Sequence, residues 1–299
     1  MDRLDALACF VAVADRGSFV GAARHLGRSP AAVTRAVATL EERLATRLLN
    51  RTTRAVVLTD AGGRYLELCR RLLADVEELE SAAANDRLEP SGLLTVSAPV
   101  VFGRLHVLPV ALTFLRDFPS VTLRLLLLDR IVSLVDEGVD LGIRLAPLPD
   151  SSLRAVSAGA VRRAVYASPD YLARHGVPTR PEQLAGHACI AFGSMSASAD
   201  RWSFGPDQSG PVVVVRPRLV VNTAEAAIDA ATAGLGVTRV LSYQADPWVA
   251  AGRLQAVLQD HEIIVPIHLV HPAGRHLPAK VRLFIDRAVA SLRARFGDG

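Results

Sequence analysis

The segment from Ser29 to Arg54 gathers the side chains with the plainest chemistry. Arg43, Arg47, Arg51 and Arg54 fall within twelve residues with no acid after Glu42, and NRTTRAVVLT reads as a turn followed by a short strand. A basic turn of this kind suits phosphate contact or entry into a minor groove. Ahead of it, Ser29-Pro30 opens a helix, with serine at the cap and proline at the first helical position, where its missing amide donor costs nothing. Val33, Val37, Leu40 and Leu44 form the apolar stripe, so Ala31, Arg35, Ala38 and Glu42 face away from it and Thr34 lies on the flank. On that outer face Pro30, Ala31 and Ala38 offer apolar contact to a thymine methyl, Thr34 a hydroxyl or methyl, and Arg35 a guanidinium fork. Ser29 offers a bond to phosphate when it is not capping. Arg51 and Arg54 are the expected backbone or minor-groove contacts, whereas Arg43 and Arg47 are equally suited to ion pairs with Glu41 or Glu42.

These residues need short helices to present them. Leu4, Leu7, Val11 and Ala14 recur at spacings of three and four, which predicts a first helix ending near Gly17. Ser18 caps a second, Phe19 to Leu26, with Ala22, Ala23 and Leu26 on one side and a stop at Gly27. Two helices joined by the turn Gly27-Arg28 make a helix-turn-helix, although an ordinary three-helix bundle has the same pattern. Residues 1 to 60 hold nine arginines against six acids. Thr59-Asp60 then caps a long helix from about Ala61 to Leu88. Its residues Leu66, Cys69, Leu73, Val76, Leu79 and Ala83 approach a heptad, with Asp75, Glu77, Glu78 and Glu80 outside. Such a helix either docks on its own domain or pairs with its copy in a second subunit. At 1.5 Å per residue it is about 40 Å long, more than the preceding segment can cover, which favours pairing. Asn85 to Gly92, with Pro90 and Ser91, reads as a linker.

Length and composition narrow the rest. The 299 residues suffice for two or three domains, and 50 % hydrophobic with 21 % charged residues describes a packed chain, not a disordered one. The richest apolar run, Val121 to Leu128, contains Arg124 and is far short of the roughly 20 apolar residues a spanning helix needs. No membrane partner is expected. The opening MDRLDALACF carries two aspartates and no cationic region before an apolar stretch, so the expectation is a cytoplasmic protein without an export signal. Cys9, Cys69 and Cys189 form no CxxC pair, which removes zinc-finger, thioredoxin-like and disulfide-scaffold readings, and each is expected as a buried thiol. The net charge of +4 hints at an anionic partner. Lys280 is the single lysine, so the cation is almost all arginine.

After Gly92 strands alternate with helices. LLTVSAPV is a strand, Gly103 to Phe118 a helix, VTLRLLLL a strand, Ile131 to Glu137 a short helix and VDLGIRL a strand, a βαβαβ pattern that predicts a parallel sheet. VRRAVYAS, a helix around Tyr171, HACIAF, the run PVVVVRPRLVV, a helix Ala224 to Ala233 and GLGVTRV form a second block. PIHLVHP and a helix from Pro278 to Phe296 close the chain. Two α/β lobes result, with a ligand cleft expected at the carboxyl ends of their strands.

Residues 1 to 60 resemble the amino-terminal domain of LysR-type transcriptional regulators over LDALACFVAVADRGSFVGAARHLGRSPAAVTRAVATLEERLATRLLNRTTRAVVLTDAGGRYL. The likeness continues more loosely through SGLLTVSAPVVFGRLHVLP, VDLGIRLAPLPDSSL, ASPDYLARHGVP, TAGLGVTRVLSYQ and VPIHLVHPAGRHLPAKVRLFID. It implies an α/β protein with an N-terminal winged helix-turn-helix, a long linker helix, and a two-lobed Rossmann-like effector domain similar to periplasmic binding proteins. The corresponding boundaries are 1–60 for the DNA-binding domain, 61–90 for the dimerisation helix and hinge, and 91–299 for the effector domain. Lobe I is about 91–162 with 267–299, and lobe II about 163–266. The implied partners are double-stranded DNA at an interrupted inverted repeat, a small-molecule effector, a second copy in a homodimer or homotetramer, and RNA polymerase. Where many members carry glutamine then proline after the capping serine, this chain has Pro30-Ala31, so the family's glutamine contact to a base has no counterpart.

The family places its ligand at the tip of the first strand, at the lobe crossovers and on the facing second lobe. Mapped here, the tip carries Val100, Val101 and Phe102 where many members have serine or threonine, which implies an apolar or aromatic effector. Amides near Gly103 are expected to be available for a carboxylate. Arg144, Ser194, Ser196, Trp202, Asn222 and Thr223 complete the expected lining, and Arg144 is singled out because an arginine after LGI needs an anionic partner if buried. Plain core packing is the competing reading for Val100, Phe102 and Trp202, and helix capping for Asn222. No GxSxG, P-loop, HExxH or GxGxxG occurs, Gly234-Leu235-Gly236 fits a helix stop, and His271 with His276 has no metal spacing. Catalysis, a metal and a cofactor are therefore not expected. A solute-binding protein with a helical oligomerisation segment is the alternative reading.

Overall fold

The computed structural model describes residues 2–51, 56–83, 89–147, 153–192, 200–205, 210–273 and 277–297. The chain divides into two compact units, one of Met1–Leu93 with Phe118–Thr122 and Pro278–Lys280, the other of Leu94–Asp117, Leu123–Leu277 and Val281–Gly299.

The first unit runs α1 (Arg3–Arg16), α2 (Phe19–His25), α3 (Pro30–Arg43), β1 (Leu49–Arg51), β2 (Val56–Leu58) and α4 (Asp60–Ala83). Each short helix starts and stops on its own chemistry. The Leu4 amide donates to Asp2 Oδ1 at 3.4 Å and the Gly21 amide to Ser18 Oγ at 3.3 Å. Gly17 and Gly27 end the first two helices at φ 60° and 63°, a region glycine enters without steric cost. The core joins Leu7, Phe10 and Val13 of α1 to Ala22 and Ala23 of α2, Val33, Ala36, Val37 and Leu40 of α3, and Leu66 and Cys69 of α4.

Two expected stripes shift. Leu4, Val11 and Ala14 are only half-buried while Ala6, Cys9, Phe10 and Val13 are buried, because α1 packs against α2, α3 and α4 at once. Leu44 is exposed, since the helix has already ended at Arg43. In α4, Leu66 and Cys69 of the expected heptad are buried in the unit's own core, and among the described side chains Leu68 and Leu72 are exposed.

In the second unit the order is β3 (Gly92–Ala98), α5 (Val100–Phe102), a π-helical turn Gly103–Val107, α6 (Leu108–Asp117), β4 (Val121–Leu127), β5 (Leu141–Leu145), β6 (Leu153–Ala167), α7 (Pro169–His175), β7 (Cys189–Phe192), β8 (Arg201–Ser203), β9 (Val212–Val214), β10 (Pro217–Val221), α8 (Ala224–Thr232), β11 (Val237–Leu241), α9 (Ser242–Ala250), β12 (Gln255–Val257), β13 (Ile263–Pro272) and α10 (Ala279–Phe296). The sheet order is β10-β7-β11-β6-β13-β5-β3-β4, with β12 on β6. The sheet is mixed where the sequence predicts a parallel one. β3 with β5, and β7 with β10 and β11, are parallel, but β6 and β13 run antiparallel to their neighbours through the middle.

β6 and β13 thus serve both halves. Their register shifts between Pro266 and His268, opposite Gly159 at φ 115°. A Cβ on Gly159 would stand 2.3 Å from the Phe296 carbonyl oxygen, so both the conformation and the space demand glycine.

Several local expectations change. Residues 131–133 are irregular and 134–138 form turns in place of the expected helix. The Ser133 amide donates to Glu137 and the Ser133 hydroxyl to Asp136 at 2.6 Å, and such side-chain bonds compete with a helical ladder. The run PVVVVRPRLVV is two strands, β9 on β8 and β10 on β7. All three cysteines are buried and free, and burial lifts the Cys69 and Cys189 thiols to about 11. Among the described residues no single helix is long and apolar enough to cross a membrane.

Candidate nucleic-acid interface and effector cleft

The outward face of α3 assembles as its periodicity requires. Ser29, Pro30, Ala31, Arg35 and Ala38 are exposed and Thr34 is half-buried. Ser29 Oγ accepts the Ala32 amide at 3.2 Å, which leaves its hydroxyl proton to donate outward. The Thr34 hydroxyl donates to the Pro30 carbonyl at 2.8 Å, so toward solvent it offers a methyl and an acceptor lone pair. No carboxylate pairs with Arg35 among the described residues. The turn before the helix is pinned from behind, where Arg28 makes a bidentate ion pair with Asp5 of α1. That bond holds the Arg28 guanidinium above its usual range.

β1 and β2 pair antiparallel with Leu49 opposite Leu58 and Arg51 opposite Val56. Residues 52–55 join them and lie outside the described residues, Arg54 among them, and of Arg51 only the backbone is described. The base of this hairpin is fixed by two devices. One oxygen of Glu41 accepts the Leu48 amide at 2.8 Å and the Leu49 amide at 3.0 Å. On the other side the Thr59 amide donates to the Leu48 carbonyl at 2.9 Å, while the Thr59 hydroxyl donates to the Arg47 carbonyl at 2.8 Å and accepts the Gly62 amide at 2.9 Å. Glu41 is therefore engaged with the backbone, a use the ion-pair expectation for Arg43 and Arg47 does not include.

In the second unit the first-strand tip is more occupied than its sequence suggests. Val100 is half-buried, Val101 is buried and Phe102 is fully buried. The Val100 amide donates to Asp129 Oδ1 at 3.0 Å, so the helix start already holds a carboxylate. The Gly103 amide donates to the Pro99 carbonyl at 2.7 Å and is not available to a ligand. A Cβ there would stand 2.2 Å from Leu127 Cδ2, which makes Gly103 a packing glycine. Arg144 is likewise engaged, its guanidinium donating to the Val132 carbonyl and bracing the 131–138 segment. Asn222 is exposed, and Thr223 caps α8 with its hydroxyl oxygen accepting the Ala226 amide at 3.3 Å. Ser194 and Ser196 lie outside the described residues.

Two groups of aromatic and ionisable side chains form instead. Phe102 lies 4.9 Å from His106, 5.4 Å from Tyr243 and 5.7 Å from Phe296, centroid to centroid. The π-helical turn brings His106 inward, and burial together with Arg295 lowers its pKa to about 4. Tyr243 feels Asp129, Glu225 and Arg163, residues that follow β4, open α8 and lie on β6. Trp202 is buried, with the Arg239 guanidinium 5.1 Å from its ring centroid and 5.6 Å from that of Phe204. His106, Arg163, Arg239 and Tyr243 were not expected from the sequence. Their signal was there, because Arg163 and Arg239 occupy the apolar phase of VRRAV and VTRVL, where an alternating strand calls for valine.

Comparison with known proteins gives two family matches: residues 4–63 to "Bacterial regulatory helix-turn-helix protein, lysR family" and residues 87–293 to "LysR substrate binding domain". An HTH-type transcriptional repressor of Pseudomonas aeruginosa is 36 % identical over 291 residues, covering 96 % of this chain and 91 % of the relative. The HTH-type transcriptional regulator CrgA of Neisseria meningitidis serogroup B is 33 % identical, covering 96 % of each. Among solved structures, CrgA from N. meningitidis superposes with a TM-score of 0.60 at 31 % identity over 96 % of this chain and 98 % of that one. The full-length Vibrio cholerae virulence activator AphB gives 0.58 at 29 % identity, over 97 % of this chain and 99 % of that one.

Proposed function

We propose, since the chain belongs to the LysR family of bacterial transcriptional regulators, that α3 reads the major groove of duplex DNA under the control of a small molecule held by the second unit. LysR-family regulators are not enzymes, and the chain's role is recognition. The observation that carries the proposal is the exposed row Ser29, Pro30, Ala31, Arg35 and Ala38 with Thr34 beside it, in which Arg35 pairs with no carboxylate among the described residues. Arg35 forks onto a base edge, the small residues meet thymine methyls, and Ser29 bonds a phosphate. Arg51 and Arg54 contact backbone or minor groove from the hairpin. With so few hydrogen-bonding side chains on the helix, DNA shape supplies much of the selectivity.

The domain limits that follow are 1–60 for the head, 61–90 for the linker helix and hinge, and 91–299 for the effector domain. Its lobes are about 91–162 with 267–299, and 163–266. The head acts in pairs on an interrupted inverted repeat, the copies joined through α4, whose Leu68 and Leu72 are exposed one turn apart. A homodimer or homotetramer satisfies that geometry, and RNA polymerase is the further partner. Val100, Phe102 and Trp202, with Thr223 and Asn222 at the crossover, border the effector site.

Footprinting of the full chain on its own upstream region tests the reading. Protection of two half-sites about one helical turn or its multiple apart, with a length that changes on adding an effector, is the expected result. Failure to bind any duplex at low salt overturns it.

A further inference from the structure

We propose that Arg163 and Arg239, with the Tyr243 hydroxyl, bind the anionic oxygen atoms of the effector, so that the ligand is a small oxyanion, either an organic carboxylate or an inorganic one. The proposal rests on the effector reading above and gives that site a charge. Its first support is register. Leu241 pairs with Arg163 and Arg239 with Val165, so the two arginines project from one face of the sheet at diagonal positions. Diagonal neighbours are about 7–8 Å apart at Cα, within reach for long side chains.

The second support is the missing counter-charge. Among the described residues no carboxylate pairs with either arginine. Burial depresses both guanidiniums, and the Arg163 charge adds to it at Arg239, which falls to about 9. Two half-buried like charges are a costly arrangement unless an anion shares them. Arg239 is held in place, its Nη1 donating to the Ser203 carbonyl at 2.6 Å between the Trp202 and Phe204 rings, and its other N–H groups remain.

The third support is independent of charge. Tyr243 is 4 % exposed and among the described residues its hydroxyl has no hydrogen-bond partner, and His106 at 6 % leaves Nε2 equally unmatched there. Buried polar atoms without partners are rare and call for one, which a ligand oxygen beside Arg163 supplies. The acids within electrostatic reach of Tyr243 have other duties. Asp129 accepts the Val100 amide and Glu225 sits in the first turn of α8, where the helix dipole favours it.

The chain has two tryptophans, so a Trp248→Phe background leaves Trp202, against Arg239, as the reporter. Its emission is titrated with benzoate, inorganic phosphate and neutral benzamide, with DNA binding followed separately by gel shift. The expected result is a saturable response to benzoate or phosphate and none to benzamide. Arg163→Gln should weaken that binding about tenfold or more, with partial recovery in Arg163→Lys and a several-fold loss in Tyr243→Phe. The ligand-free melting temperature of Arg163→Gln should stay at or above that of the parent. A benzoate-only response assigns an organic acid, a phosphate-only response an inorganic oxyanion. Equal response to benzamide, unchanged anion affinity in Arg163→Gln, or silence toward all probes overturns the site. So does a melting point lowered by several degrees in ligand-free Arg163→Gln, which marks a structural arginine. The gel shift judges the regulator reading on its own.

Discussion

Replacing Glu41 with alanine should loosen the basic hairpin more than any single arginine change on its surface. One Glu41 oxygen accepts both the Leu48 and Leu49 amides, and these residues are 2 % and 3 % exposed, so water cannot readily take its place. Each buried amide left unmatched costs about 1–3 kcal/mol, which puts the loss for the two at roughly 2–6 kcal/mol. Glu41→Gln keeps a carbonyl acceptor but not the charge assistance, and should lose about half as much. Hydrogen exchange over residues 44–51 reads the effect where it arises. Exchange at Leu48 and Leu49 should accelerate at least about tenfold in the alanine variant, and gel shifts should show weaker binding to matched and scrambled duplexes alike. If both variants exchange within twofold of the parent, the hairpin is held by Thr59 alone and the assignment of Glu41 is wrong.

Arg35→Ala should weaken binding to the preferred site by about 1–3 kcal/mol and relax the preference at one base pair, whereas Arg54→Ala should weaken all sequences and reduce the salt slope by about one; equal losses on all DNA from Arg35→Ala would defeat the base-reading role. His106 is held neutral, with a folded pKa of about 4 against an ordinary 6.5, so the folded chain binds fewer protons than the unfolded one in that interval. Stability is complete above about pH 6.5 and falls as pH drops toward 4, by about 2–3 kcal/mol, and a His106→Leu variant should lose this acid sensitivity in denaturant titrations. Gly159→Ala should destabilise the second unit by about 1–3 kcal/mol or more, because it forces φ 115° on an alanine and a methyl onto the Phe296 carbonyl; a neutral effect in thermal melts would show that the bulge can relax.

Much of this molecule was legible before its structure. The caps at Ser18, Ser29 and Thr59 and the stops at Gly17 and Gly27 are local chemistry, which a sequence displays directly. The burial of α1 was not legible, because a helix packed on three neighbours is apolar around most of its girth and its phase is ambiguous. α9 is not among the elements the sequence announces, since Pro247 lies inside it, yet its start is fixed by a Gln244 side chain that accepts the Leu241 amide at 2.9 Å. In the second unit, Arg144 drew attention by its neighbours, but pairing partners are set by tertiary approach. Arg144 found the Val132 carbonyl, while the register of β6 on β11 sets Arg163 and Arg239 on one face, where no carboxylate among the described residues pairs with them.

The seat of α4 on the hairpin has a consequence for anyone recombining regulators of this type. A methyl on Gly62 would stand 2.0 Å from the Leu48 carbonyl oxygen, and Thr59 stitches the same carbonyl to the helix start. The rotational setting of the long helix is thus inherited from the head, tooth in socket. A chimera spliced between Leu48 and Gly62 would mismatch the two parts and lose the native rotation of the helix about its own axis. Grafts joined beyond Gly62 would carry the native setting with them.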